Sequence, residues 1–147
     1  MPTKIHEMNI AKGYNISTDK NLLDLSYIHE VLTESYWAKG IPVDVVEKSI
    51  EGSMCFGVHQ GANQVGFARI ITDKATFAYL ADVFIDSAHR GIGLGKALVE
   101  FILAHPDLQG LRGILLGTLD AYGLYAKYGF EPLPDGRFMR LRNPNPY

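Results

Sequence analysis

Residues 90–96 form a glycine-rich stretch whose composition suits the binding of an anion. Three glycines alternate with apolar residues between two cations: Arg90, Gly91, Ile92, Gly93, Leu94, Gly95 and Lys96. Glycine has no Cβ, so the backbone N–H groups of such a stretch can converge on one ligand. A helical pattern follows at once, and the positive end of the helix dipole adds to the attraction. The stretch therefore predicts a phosphate or pyrophosphate site, with Arg90 and Lys96 adding charge at its edges.

Two common phosphate-binding motifs fit this stretch poorly. A P-loop has a glycine where this chain has Arg90, and Ser or Thr where it has Ala97. The dinucleotide fingerprint has its last glycine where this chain has Lys96, and it lies near the first strand of its fold. A simpler interpretation is a tight strand-to-helix turn without a ligand. The flanking charges of Arg90 and Lys96 favour the anion site.

Asp82 is the one charged residue in the apolar segment Phe77–Ile85. A buried carboxylate costs free energy unless it is paired, so an acid in this position is either structural or functional. Asp82 is therefore a candidate catalytic base or substrate-binding residue. The alternative is a structural acid that bonds to loop amides.

The single cysteine and the histidines are weaker candidates for chemistry. Cys55 has no visible activating partner, and buried cysteines are usually inert. The five histidines show no metal-ligand spacing, so no metal is predicted: His6, His29, His59, His89 and His105.

Hydrophobic periodicity predicts the elements that must position these residues. Met8–Ser17 is predicted as a short strand or hairpin, Asp19 as the N-cap of the first helix, and Gly129 as the stop of the last helix. Phe77–Ile85 has the apolar pattern of a central strand covered on both faces. The predicted helices span residues 21–36, 43–50, 94–105 and 121–128, and the other strands span 54–59, 64–72, 114–118 and 138–141. The order β-α-α-β-β-β-α-β-α-β predicts a mixed α/β sheet.

Composition places the chain among globular proteins. It has 147 residues, of which 47% are apolar and 20% charged, with a net charge of -2. That balance argues against nucleic acid as the main partner. No apolar run is long enough to span a membrane, and the first residues lack the apolar core of a signal peptide. We therefore expect one domain over residues 1–147, with a cytoplasmic location.

Two motifs together resemble the GNAT superfamily of acyl-CoA-dependent N-acyltransferases. Residues 90–95 resemble that family's R/Q-x-x-G-x-G/A signature, and residues 124–130 resemble its late L-Y-x-x-x-G-F helix. The element order matches too, although the similarity is sharp only over residues 79–130. One departure is Thr118, where many members of the family have Asn beside the pantetheine arm.

The resemblance implies a fold and a cofactor site. The fold is a mixed, mostly antiparallel central sheet flanked by helices, with two central strands that splay apart around acetyl-CoA. Main-chain groups around Val83, Phe84 and Ile85 would pair with the pantetheine arm, and Thr118 would lie near it. The amides from Arg90 or Gly91 through Lys96 would hold the pyrophosphate.

The resemblance also implies the chemistry of direct acetyl transfer to an amine. Tyr125 stands where many members carry a tyrosine acid, and a phenol is protonated at neutral pH. The alternative is a tyrosine packed under the sheet with a satisfied hydroxyl. Tyr36 and Trp37 lie in a region that often walls the acceptor pocket, although they could equally close a corner between helices.

The sequence therefore predicts an acetyl-CoA-dependent N-acetyltransferase that acts on an amine, without a metal. Proteins of this kind are often homodimers, so a homodimer is possible here as well. Two alternatives remain open: a non-catalytic CoA-binding module on the same fold, and a different enzyme with a phosphate-bearing ligand.

Overall fold

A six-stranded sheet forms the centre of the computed structural model, which describes residues 4–134 and 136–147. The strands follow chain order across the sheet: β1 (Glu7–Ile10), β2 (Tyr14–Ser17), β3 (Met54–Gln60), β4 (Asn63–Thr72), β5 (Phe77–Ile85) and β6 (Gly113–Leu116). All neighbours pair antiparallel except β5 and β6, which are parallel. The mixed, mostly antiparallel sheet predicted from the sequence is confirmed. The predicted domain of residues 1–147 includes residues 1–3 and Asp135, which lie outside the described part.

Helices cover both faces of the sheet. The α-helices are α1 (Leu25–Glu34), α2 (Val43–Glu51), α3 (Leu94–Leu103) and α4 (Tyr122–Ala126). On one face, Ile28 of α1 and Val46 of α2 are fully buried in a cluster with Phe67. On the other, Leu98 and Ile102 of α3 are buried in a second cluster. No helix within the described residues is long and apolar enough to cross a membrane.

The first helix begins later than the sequence predicts. Asp19 does act as a cap, but of a 3-10 turn over Lys20–Leu22, where its side chain accepts a hydrogen bond from Asn21 N. Helix α1 begins at Leu25 because Asp24 caps it, accepting from Tyr27 N at 3.1 Å. Two aspartates five residues apart can each cap a helix, and local sequence does not distinguish them.

A bulge in β5 sets the geometry of the middle of the molecule. Phe84 pairs with Phe67, and Ala81 pairs with Arg69, so β5 has one more residue than β4 between these pairs. Asp82 lies in the bulge with φ +54, a backbone conformation that non-glycine residues rarely adopt. The pairing of β5 with β6 ends at Leu80 and Leu116. Among the residues that the structure describes, the second half of β5 therefore has no ladder partner on the β6 side.

Two predictions about strands are wrong. Residues 138–141 form no strand: they have no ladder partner among the described residues, and Met139 and Leu141 are about fully exposed at 99% and 101%. Alternation of apolar and basic residues gives a strand pattern, but a strand also needs a neighbour to pair with. Strand β5 is also not covered on both faces along its whole length, because Phe77 and Tyr79 are exposed.

His105 predicts a loss of stability in acid. It is buried, and its Nδ1 accepts a hydrogen bond from Asp107 N at 3.1 Å, which requires that nitrogen to be unprotonated. Burial, reinforced by His6, lowers the pKa of His105 below its usual 6.5. The unfolded chain then binds the proton more tightly, so the free energy of unfolding should fall as the pH decreases below about 6.5.

Urea unfolding at pH 7.5 and pH 5 checks this effect. His105→Asn keeps a cap acceptor but does not titrate, so its free energy of unfolding should fall less between the two values. An equal fall in the wild type and in the variant would contradict the assignment.

Candidate active site

A cavity of about 900 Å³ opens where β5 and β6 separate. It is lined by thirteen of the residues that the sequence predicts for the site: Tyr36, Trp37, Asp82, Val83, Phe84, Ile85, Arg90, Gly91, Gly93, Leu94, Gly95, Thr118 and Tyr125. Its volume is in the range of small-molecule and cofactor sites. The fold thus brings together residues that lie up to 89 positions apart in the chain, from Tyr36 to Tyr125.

The glycine-rich stretch forms the turn that leads into α3. Gly91 and Gly93 have φ values of +81 and +88, and Gly93 is the N-cap of the helix. The first backbone hydrogen bond of α3 is donated by Ala97 N to Gly93 O. The amides of the first turn, from Leu94 to Lys96, therefore have no acceptor within the helix. This turn can offer several N–H groups to an anion in the cavity.

Arg90 lies at the junction between this turn and β5. Its Nε donates a hydrogen bond to Ile85 O at 3.0 Å, at the end of the strand half that has no β6 partner. The guanidinium therefore stands between the glycine turn and the free edge of β5. It is positioned to bind an anion at the turn. Its bond to Ile85 O occupies one of the main-chain groups that the sequence analysis assigns to the pantetheine arm.

Asp82 is held from two sides. Its Oδ2 accepts a hydrogen bond from Arg69 Nε at 2.6 Å, and its Oδ1 accepts one from Trp37 Nε1 at 2.9 Å. The side chains of Arg69 and Asp82 are only 16% and 10% exposed, so the ion pair is partly shielded from water. Arg69 is fixed in turn by its bond to Ser53 Oγ at 3.1 Å. Each carboxylate oxygen can still accept a further bond, for example from an ammonium group.

Trp37 and Tyr36 form one wall of the cavity. The rings pack edge to face with centroids 5.0 Å apart, and Tyr36 remains exposed. They also line a second groove of about 550 Å³, together with Glu34 and Asp86. The indole of Trp37 therefore both walls the cavity and orients Asp82.

Tyr125 projects from α4 into the same cavity. It is buried and packs edge to face on Phe130, with ring centroids 5.7 Å apart. Its hydroxyl oxygen is accessible from the cavity and makes no hydrogen bond to any residue that the structure describes. Burial raises the pKa of Tyr125, and the nearby Asp120 and Tyr36 raise it further. The phenol is therefore protonated at neutral pH and has its hydrogen-bonding capacity left for a ligand.

Thr118 has a local structural role beside the cavity. Its Oγ1 accepts a hydrogen bond from Ala121 N at 3.0 Å, immediately before α4. This bond fixes the loop that carries α4, and so the position of Tyr125. The cofactor contact predicted for Thr118 remains a prediction.

Two predicted cofactor residues lie outside the cavity wall. Ile92 and Lys96 do not line it, and both are exposed. Their predicted contribution therefore rests on their backbone amides in the turn. The side-chain charge of Lys96 is not at the cavity surface.

The sequence analysis missed two residues that the structure places at this site. Arg69 is the charged partner of Asp82, and the only signal is that it interrupts the apolar run of β4. His89 lines the cavity beside Arg90, but the sequence analysis considered this histidine only as a possible metal ligand.

The residue types that most often bind metals or act as thiol nucleophiles were compared with the cavity. Within residues 4–134 and 136–147, no group of three or more His, Cys, Asp or Glu side chains is placed to hold a metal ion. Cys55 is buried away from the cavity, and burial raises its pKa to about 11. The thiol is therefore neutral at physiological pH.

Comparison with known proteins gives consistent matches. Residues 51–132 match the family model described as the acetyltransferase (GNAT) domain. A solved structure of a GNAT-family protein from Xanthomonas campestris pv. campestris is 46% identical, with a TM-score of 0.83 over 96% of this chain and 94% of that one. A protein of Gibberella zeae named as an acetyltransferase is 32% identical, and the match covers 81% of this chain and 80% of that protein.

One further structure shares the fold alone. It comes from Clostridium acetobutylicum, was solved with acetyl-CoA, and is 12% identical with a TM-score of 0.62, covering 95% of each chain. These matches, together with the parallel strands β5 and β6 that separate after Leu80 and Leu116, assign the fold. The chain belongs to the GNAT family of acetyltransferases.

Proposed function

We propose that this protein transfers an acetyl group from acetyl-CoA directly to a primary amine. The observation that carries the proposal is a single cavity lined by three features: the glycine turn, the bulge that holds Asp82, and the hydroxyl-bearing face of Tyr125. Each supplies one requirement of the reaction. The turn is a site for the phosphates, the carboxylate of Asp82 accepts hydrogen bonds from the amine, and Tyr125 is a proton donor. Acetyl-CoA would supply the thioester carbonyl that the amine attacks.

The residues at the turn fit the diphosphate of acetyl-CoA. A Cβ added at Gly91, Gly93 or Gly95 would meet no heavy atom within 4 Å, so the surface of the turn is open. The first amides of α3 and the guanidinium of Arg90 are donors suited to phosphate oxygens. The unpaired edge of β5 around Val83 offers main-chain groups to the pantetheine amides.

Tyr125 would act as the acid. In amine acetylation a proton must reach the departing thiolate, and a neutral phenol of high pKa holds such a proton. The hydroxyl of this buried ring is accessible and has no bond to the described residues, so it can make its hydrogen bond to the substrate instead.

Asp82 would bind and orient the amine. Its carboxylate is paired with Arg69 and Trp37, so its position is fixed before a substrate arrives. Preorganised polar groups of this kind cost little reorganisation during the reaction. The same carboxylate would accept the proton that the ammonium loses, directly or through a water, before the neutral amine attacks the thioester.

Two glycines of the turn provide a matched test of the cofactor site. Gly93→Ala places a Cβ on a backbone with φ +88, which costs about 1–2 kcal/mol for an L-residue and should distort the turn. Gly95 has an ordinary helical backbone with open space beside it, so Gly95→Ala should be tolerated.

Calorimetric titration with acetyl-CoA measures the difference. Gly93→Ala should bind about 10-fold more weakly than the wild type, and Gly95→Ala within about 2-fold of it. Wild-type affinity for acetyl-CoA in Gly93→Ala would contradict the role of the turn.

The reaction itself is tested by following acetyl transfer to a panel of primary amines. The panel should hold polyamines, amino acids, aminoglycosides and peptides with a free amino terminus or lysine. The proposal predicts a singly acetylated product and an equal amount of free CoA thiol for at least one class. Binding of CoA without transfer to any amine would instead favour a non-catalytic CoA-binding module.

A further inference from the structure

His89 lies at the wall of the cavity, immediately before the glycine turn. It ends the 3-10 turn Ser87–His89, is half-buried, and lines the cavity together with Arg90 and Gly91. The acid of the same turn, Asp86, does not line this cavity. Its two oxygens accept hydrogen bonds from Ala88 N and from the hydroxyl of Tyr27.

A buried tyrosine on β2 holds the imidazole of His89. The hydroxyl of Tyr14 lies 2.7 Å from Nδ1 of His89, and the two rings are almost perpendicular at 84°. Tyr14 is buried, and its hydroxyl makes no other hydrogen bond to the described residues. One ring nitrogen of His89 is thus occupied by the protein, and Nε2 is left for a ligand.

The bond from Tyr14 decides what Nε2 can do. When the phenol donates to Nδ1, the proton of the neutral ring is on Nε2, which becomes a donor. The opposite arrangement, with Nδ1 donating to the phenol oxygen, leaves a bare lone pair on Nε2. An anion beside the ring stabilises the first arrangement and repels the second.

The cavity is otherwise short of side-chain cations for a diphosphate. Lys96 does not line it, and Arg69 is paired with Asp82. Arg90 uses its Nε on the carbonyl of Ile85. The terminal nitrogens of Arg90 remain for the diphosphate, and His89 would add a second side-chain donor beside the turn.

We infer that His89 Nε2 donates a hydrogen bond to a phosphate oxygen of the cofactor, and that Tyr14 is the positioning residue that keeps Nε2 protonated. This inference rests on the proposed function, because it assigns a residue to the same cofactor. It adds a side chain from outside the glycine signature and connects the site to β2.

The test compares two ligands that differ in their phosphates. Acetyl-CoA carries the diphosphate, and S-acetylpantetheine does not, although both present the same thioester. His89→Leu removes the donor while keeping the side-chain volume, and it should weaken acetyl-CoA binding about 10-fold, as expected for a hydrogen bond to a charged group. The affinity of His89→Leu for S-acetylpantetheine, measured by calorimetry or by competition, should equal that of the wild type.

Two further variants separate positioning from packing. His89→Gln keeps an N–H donor near Nε2 and should recover most of the affinity for acetyl-CoA. Tyr14→Phe should bind acetyl-CoA about 3-fold more weakly and S-acetylpantetheine as well as the wild type does. The ring is retained, but the hydroxyl that favours the Nε2–H tautomer of His89 is lost. Tyr122→Phe is its control, because Tyr122 is exposed and does not line the cavity. In ¹⁵N spectra of the free protein, the Nε2–H form of His89 should be less populated in Tyr14→Phe.

The outcomes separate this inference from the proposed function. Wild-type affinity for acetyl-CoA in His89→Leu would overturn the inference and leave the function intact. Equal losses for both ligands would also overturn it, since that would indicate a role in folding only. Failure of the wild type to bind acetyl-CoA would overturn both.

Discussion

Replacing Tyr125 with Phe should lower kcat about 100- to 1000-fold, the range in which a general acid contributes to a rate. The ring would still pack on Phe130, so folding and the affinity for acetyl-CoA should change little. The only loss is a hydroxyl that has no hydrogen bond to the described residues and whose pKa is raised by burial. Steady-state kinetics with an accepted amine, together with calorimetry, measure the two quantities separately.

The matched control for this substitution is Tyr122→Phe. Tyr122 is on the same short helix but is exposed and does not line the cavity. Its kcat should remain within about 2-fold of the wild type, as is usual for a surface change. A Tyr125→Phe enzyme with wild-type kcat would remove the acid assignment and leave Tyr125 as a packing residue.

Replacing Asp82 with Asn should produce the second large effect, in acceptor binding and in stability. The amide can still accept from Trp37, but the charge that balances Arg69 is lost inside a partly shielded pair. Such a change costs about 1–3 kcal/mol of folding free energy. For the amine acceptor, kcat/KM should fall about 100-fold, since a charge-assisted hydrogen bond to the ammonium is lost as well.

Asp107→Asn is the control for the general effect of removing a charge. Asp107 forms an exposed ion pair with Lys74 at 3.8 Å, and exposed pairs contribute little. Acetyl-CoA affinity should stay constant in both variants. If Asp82→Asn is less stable but keeps its kcat/KM at temperatures where it is folded, Asp82 is a structural acid and the amine site lies elsewhere.

Local signals explain why parts of the site could be predicted. The bounds of β5 and the start of α3 follow from an uninterrupted apolar run and from glycines next to a helical pattern. Both are properties of adjacent residues, and the structure agrees with them. Tyr125 is predicted from a motif that is equally local; the structure places it at the cavity, and its role as the acid remains a prediction.

Features that depend on long-range pairing could not be predicted. The partner of Asp82 is Arg69, thirteen residues earlier, and the two meet because of a one-residue bulge that the composition of β5 does not indicate. The bond between Tyr14 and His89 spans seventy-five residues. The strand predicted at residues 138–141 is wrong for the converse reason. The local pattern is that of a strand, but no neighbouring strand among the described residues pairs with it.

The most direct test of the account is calorimetric titration of the wild-type protein with acetyl-CoA, with CoA, NAD and ATP as comparators. The cavity and its glycine turn predict micromolar binding of acetyl-CoA and CoA, and at least about 100-fold weaker binding of NAD and ATP. A folded protein that binds none of the four, or that prefers NAD or ATP, would contradict the assignment of the cavity to acetyl-CoA.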